Sequence, residues 1–191
     1  MPESSRIFYD LGIIKAEGNI TSGDAHLAVE YEKVMRLGLK DYERRTREAM
    51  ERLELTEAEN LKKFYFYQAI LIVIEAVRNF ASRYSELALA QAAGLEKGEP
   101  DEMRRAAELR EMARILSKVP YEPAESFAEA LQSMWLIHLV LQIESNGHSL
   151  SYGRMDQYLY PFYKKDLESG KETEEKRLRE NDEPLAENLH D

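Results

Sequence analysis

Cysteine is absent from the sequence. That excludes disulfides, cysteine-based metal sites, cysteine-ligated iron–sulfur clusters and any thiol nucleophile within this chain. Basic residues are outnumbered 26 to 36 by acidic ones, giving a formal net charge of -10. A nucleic-acid backbone needs clustered Lys and Arg, and so does an anionic membrane surface, so neither is an expected partner. Long apolar runs are missing as well. The longest, Phe64 to Ile74, includes Gln68 and stops at Glu75, well short of the roughly 20 residues a membrane span needs. It is expected as a buried helix. Met1 to Asp10 offers no basic start followed by an apolar run, so no secretory leader is expected and the location inferred is cytoplasmic. Histidine is sparse: His26, His138, His148 and His190 have no metal-binding spacing, and no metal site is expected. No G-x-S-x-G elbow, P-loop or G-x-G-x-x-G occurs. Ser149 beside His148 is no triad signal, because adjacent side chains rarely face each other.

What remains is enough for one domain. The 191 residues are 43% hydrophobic, with only six prolines and nine glycines, and the pattern is a series of helices. Residues 2–23 read as irregular, partly extended at Ile7-Phe8-Tyr9. A first long helix is expected from Asp24, with Leu27, Tyr31, Val34, Met35 and Leu37 on one face and a kink or break at Gly38. A second starts after Thr56 with a capping box to Glu59 and ends at Gly94. A third, Pro100 to Val119, carries a stripe of Met103, Ala107, Leu109, Met112, Ile115 and Leu116 on an otherwise charged surface. The Pro-Tyr-Glu-Pro linker, residues 120–123, introduces a fourth helix over 124–145, whose core M-W-L-I-H-L-V-L is broken only by His138. His138 reads as a core histidine bonded to a neighbour. A short strand or loop follows over 147–155, then a last helix over 156–167 that Pro161 kinks or starts. Residues 1–168 form the folded part. Residues 169–191 carry twelve charges and few apolar side chains, so a frayed or disordered tail is expected.

The second and fourth helices look apolar on nearly every side, yet the chain supplies few elements to cover them. The expectation is missing neighbours: a partner subunit, such as a second copy, or the rest of a longer chain.

Chemistry concentrates in the run from Glu144 to Gln157, where a buried helix ends at Gly147 and a loop brings His148, Ser149, Arg154 and Asp156 together in sequence. Two readings stand side by side. These groups cap helix ends and satisfy one another, or they meet a hydroxyl-bearing ligand on a loop whose glycines allow close backbone approach.

The run from Pro120 to Tyr163, with E-S-N-G-H-S followed by G-R-M-D-Q-Y, resembles the large domain of glycyl radical enzymes, the pyruvate formate-lyase-like family. Residues 22–39 and 69–80 resemble it too. The likeness is closer to the branch of glycerol, propanediol and hydroxyproline dehydratases and choline lyase than to formate acetyltransferase. It implies a mainly α fold, the helical N-terminal part of an α/β barrel whose strands are elsewhere. It implies radical dehydratase or lyase chemistry using a glycyl radical installed by a radical-SAM activating enzyme, and a cysteine that abstracts hydrogen from a small-molecule substrate. This chain has neither that cysteine nor a glycine in such a loop, so no catalytic residue is carried over, no bound cofactor is expected, and the chain alone is expected to be inactive. Carried over are substrate-binding roles for His148, Ser149 and, more loosely, His26, where Ala25 stands in place of an expected glycine. Arg154 and Asp156 are taken as supports of the same loop. The charged turn from Glu172 onward is what a truncated, frameshifted or split gene product would show. The alternative from another class is a helical binding or assembly module that kept these helices and binds a partner on their apolar faces.

Overall fold

The structure is a computed structural model that describes residues 3–12, 27–95, 98–145 and 149–170. Helices α1 (Glu3–Asp10), α2 (Tyr31–Glu51), α3 (Ala58–Leu95), α4 (Pro100–Lys118), α5 (Phe127–Glu144), α6 (Met155–Tyr158) and α7 (Tyr160–Glu168) make up nearly all of it. Two short strands, β1 (Leu27–Ala28) and β2 (Leu150–Ser151), pair in parallel with Leu27 against Leu150 and Ala28 against Ser151. The mainly α architecture is the one expected.

α3 and α4 form a long hairpin whose seam is small: Ala88, Ala92, Ala106, Leu109 and Ala113 are buried together, and Ser85 Oγ donates to the Ala113 carbonyl at 2.8 Å. Alanine faces let two helices approach closely without leaving voids. A second core joins α2, α4 and α5 through Tyr31, Met35, Ile115, Val119, Ala130 and Met134. Its helix ends are closed by side chains. Glu102 accepts from the Glu99 backbone N–H at 3.0 Å, and Ser126 accepts from the Glu129 N–H at 3.2 Å. At α5, Asp166 from α7 accepts the orphan N–H of Phe127 at 2.6 Å, which ties the last helix to the start of the fifth.

Glu129 is a buried charge beside this core. Lys118 Nζ donates to it at 2.7 Å, the Glu125 N–H at 2.8 Å and Arg114 at 3.1 Å. Burial pushes its carboxyl upward, but those donors outweigh it and hold it below the usual Glu value. A carboxyl depressed by folding stabilises the fold above its unfolded-state value, and that stabilisation is lost as pH falls through the folded one. Glu129→Ala is expected to cost about 2–3 kcal/mol at pH 7. Glu129→Gln should flatten the loss of stability that the unsubstituted chain shows below about pH 5. Urea unfolding at pH 7 and pH 4 checks both.

Several sequence expectations are corrected. Ile7 to Tyr9 lie in α1, not in an extended segment. Leu27 and Ala28 are strand, not helix, because they pair with β2; the expected start at Asp24 lies outside the described residues. α3 runs through Gly94 to Leu95, and the Glu59 carboxylate, expected to close a box with Thr56, pairs instead with Lys62 at 3.0 Å. Met103 and Met112 are exposed, the seam being carried by Ala106 and Ala113 instead. Pro161 falls in the first turn of α7, separate from α6, so it marks a true start. Most of the charged tail, residues 171–191, lies outside the described residues.

The largest correction concerns burial. α3 and α5 are not covered all round: Phe66 is 63%, Ile72 67% and Trp135 51% exposed. Apolar composition states what favours burial, not what is present to bury it. α3 is also long and apolar enough to cross a membrane by length and composition. The core helix of a globular protein passes the same test.

Candidate functional site

The parallel bridge is the centre of the site. Its strands are short, and Leu27 N–H also reaches the Ser149 carbonyl at 3.4 Å. Ser149 is exposed, immediately before β2. His26 and His148 lie outside the described residues, as do Asn146 and Gly147. Their described neighbours in sequence, Leu27 on one side and Ser149 on the other, are joined by that bond and by the bridge.

Arg154 and Asp156 pair with each other through two bonds, Nε to Oδ1 at 3.1 Å and Nη2 to Oδ2 at 2.8 Å. The Arg154 bonds hold the Asp156 carboxyl below its usual range, and the same pairing raises the guanidinium. Both side chains are exposed at the start of α6. Gly153 just before them has φ of +67°, a left-handed turn that glycine adopts without strain. Its N–H donates to Ser151 Oγ at 3.1 Å, so β2 and α6 are locked into one turn. Asp156 also lines a cleft of about 240 Å³ with Phe127, Met155, Leu159, Tyr160 and Tyr163. Among the described residues no group of three or more His, Asp or Glu converges as a metal site.

Behind the bridge lies a cluster that the sequence pattern did not single out. Tyr31 Oη and His138 Nδ1 are hydrogen-bonded at 2.7 Å, and Gln142 Nε2 stands 3.3 Å from His138 Nε2. The His138 ring stacks on Tyr152 with centroids 4.1 Å apart, and Tyr31 stacks on Tyr152 at 5.8 Å. Tyr158 donates to the Tyr152 carbonyl at 2.7 Å. Burial, with Tyr152 and Tyr158 adding to it, pushes the Tyr31 phenol up to about 12, so it stays a hydroxyl across the physiological range. His138 is thus the bonded histidine its position in M-W-L-I-H-L-V-L suggests. Its partner Tyr31 was visible only as one apolar-stripe residue, and nothing in local spacing links the two.

The sequence matches the family model described as Pyruvate formate lyase-like over residues 1–180, a span that extends past Glu168. It is 47% identical over 157 residues to "Probable dehydratase YbiW" of Escherichia coli (strain K12), covering 82% of this chain and 19% of that one. A solved structure concerned with 1,2-propanediol dehydration in Roseburia inulinivorans superposes with a TM-score of 0.74 at 44% identity, covering 80% of this chain and 19% of that one. The glycerol-bound form of the B12-independent glycerol dehydratase from Clostridium butyricum superposes with a TM-score of 0.68 at 39% identity, covering 74% and 17% respectively. The chain therefore spans about a fifth of the length of these relatives.

Proposed function

Because the chain belongs to the pyruvate formate lyase-like family, we propose that it is the hydroxyl-positioning segment of a glycyl radical dehydratase or lyase acting on a small hydroxylated substrate. The observation that carries this reading is the parallel bridge, which sets the residue after His26 against the residues that follow His148. In this reading His148, Ser149 and His26 bind substrate hydroxyls, and the Arg154–Asp156 pair braces the far end of the loop through the Gly153 turn. The names of the relatives, a propanediol dehydration and a glycerol dehydratase among them, support diols as the substrate class. Folded residues 1–168, a charged tail over 169–191 and a cytoplasmic location complete the reading.

The residues present fit no radical centre. The glycyl radical and the hydrogen-abstracting cysteine belong to the remainder of a family chain, since this sequence has no thiol, and the radical-SAM activating enzyme that installs the radical is a separate partner. What these residues supply is orientation: fixed donors and acceptors that hold a diol so that one carbon faces the abstracting group. The exposed apolar faces of α3 and α5 await that remainder. An assembly module would display the same faces, and segment exchange separates the two readings. Residues 1–168 are placed into the Roseburia inulinivorans protein in lieu of its own matching segment. The expected result is an enzyme that still dehydrates 1,2-propanediol within about tenfold of the original rate. A folded, radical-bearing but inactive product would overturn the substrate-site reading and leave the assembly module.

A further inference from the structure

We propose that His138 is a positioning residue that sets the two halves of the parallel bridge, Leu27–Ala28 and Leu150–Ser151, in register. The inference rests on the reading of that bridge as the substrate site and adds the element that fixes its geometry.

Three pieces of chain must be held together for the bridge to exist: the stretch from β1 into α2, helix α5, and the stretch after β2. One imidazole touches all three. Through Nδ1 it is bonded at 2.7 Å to Tyr31, which opens α2 only a few residues beyond Leu27. It stands on α5, the helix that leads into the Ser149 loop. Its face lies 4.1 Å from the ring of Tyr152, the residue directly after β2. The other nitrogen is 3.3 Å from Gln142, one turn along α5, which fixes the ring's rotation. Tyr152 is in turn clamped by Tyr158, whose hydroxyl donates to its carbonyl at 2.7 Å.

Two-residue strands cannot hold their own register, because they bring too few ladder bonds and too little side-chain contact. Leu27 is exposed and its N–H bond to Ser149 is long at 3.4 Å, so the bridge draws little stability from itself. Tyr31, by contrast, is 1% exposed. A buried hydroxyl with a good partner resists displacement, since moving it leaves the group unsatisfied. The register is therefore imposed from behind, by a bond between residues 107 positions apart.

The test uses the 191-residue chain and nuclear magnetic resonance, reading the cross-strand contacts of Leu27 with Leu150 and the amide exchange of both. His138→Phe keeps a ring on Tyr152 but removes both polar bonds. It is expected to abolish the cross-strand contacts and speed exchange at Leu27 and Leu150 about tenfold, with amides of the α3–α4 hairpin unchanged. Tyr31→Phe should do the same, and the double variant should add little to either. His138→Asn, which keeps a polar atom near the Nδ1 position but gives up the ring on Tyr152, should restore the contacts in part. Unchanged contacts in His138→Phe would overturn the proposal, as would a uniform rise in exchange across α2 to α5 that Asn does not reverse. None of these readouts involves a substrate, so loss of the diol-site reading in the segment exchange would leave the register result standing, and the reverse.

Discussion

Replacing Gly38 with alanine is expected to cost the chain about 3–5 kcal/mol, a large part of the roughly 5–15 kcal/mol that holds a domain folded. α2 breaks at Gly38, where φ is +68° and ψ +162°. The break frees backbone groups that the strap between α4 and α5 uses. Leu39 N–H donates to the Pro120 carbonyl at 2.9 Å, Lys40 N–H to the Tyr121 carbonyl at 2.9 Å, and Ala124 N–H to the Met35 carbonyl at 2.8 Å. A side chain at this φ and ψ, a region occupied essentially by glycine, costs about 1–3 kcal/mol by itself. The added Cβ would also overlap the Tyr121 carbonyl oxygen, and would stand 2.7 Å from the Glu122 carbonyl carbon and 2.8 Å from Pro123 N. Those are backbone atoms pinned by the bonds just named, so they cannot swing aside. Gly153→Ala is the control: φ is +67°, but nothing lies within 4 Å, and the cost should be only about 1–2 kcal/mol. Urea unfolding of the two variants compares them, and equal losses would show that the close approach at Gly38 is not what matters.

The 191-residue chain on its own should turn over none of glycerol, 1,2-propanediol, choline, hydroxyproline or pyruvate, even with a radical-SAM activating enzyme and S-adenosylmethionine. It should also give no glycyl radical doublet by electron paramagnetic resonance. Hydrogen abstraction that is reversed within each turnover needs a group that gives up a hydrogen atom and regains it. A thiol does this; the thioether of methionine has no S–H and cannot. The chain contains seven methionines and no cysteine. Positioning residues alone have nothing to position a substrate against. A doublet signal, or product above a protein-free control, would contradict this account of the chemistry.

How much of this was legible in the sequence varied with the length scale of the cause. Gly38 inside an apolar-periodic run, Pro161 near a helix start and the Pro120–Pro123 linker announced local backbone events, and each event is present. The bridge was not legible. Two residues carry no periodicity, and Leu27 fits a helical stripe equally well until Leu150 is brought beside it. The link between Tyr31 and His138 was hidden for the same reason. Burial is the reverse case: the apolar run in α3 specifies a covered helix, yet Phe66 and Ile72 face outward, because composition states what favours burial and not which elements stand beside it. The motif E-S-N-G-H-S points to the stretch leading into β2, and geometry adds the pairing of β2 with β1, the strand that follows His26 in sequence. Arg154 and Asp156 bond to each other and not to Ser149.

The claim that the loop after α5 binds substrate hydroxyls is tested most directly by Ser149→Ala in the segment-exchanged propanediol-dehydrating protein. The measurement is kcat/KM for 1,2-propanediol at a matched glycyl radical signal. A binding site that loses one hydrogen bond to a substrate hydroxyl loses about 1–3 kcal/mol of transition-state stabilisation. The account therefore predicts a fall of about tenfold to a hundredfold or more, with the radical signal intact. A Ser149→Ala enzyme with unchanged kcat/KM would contradict it.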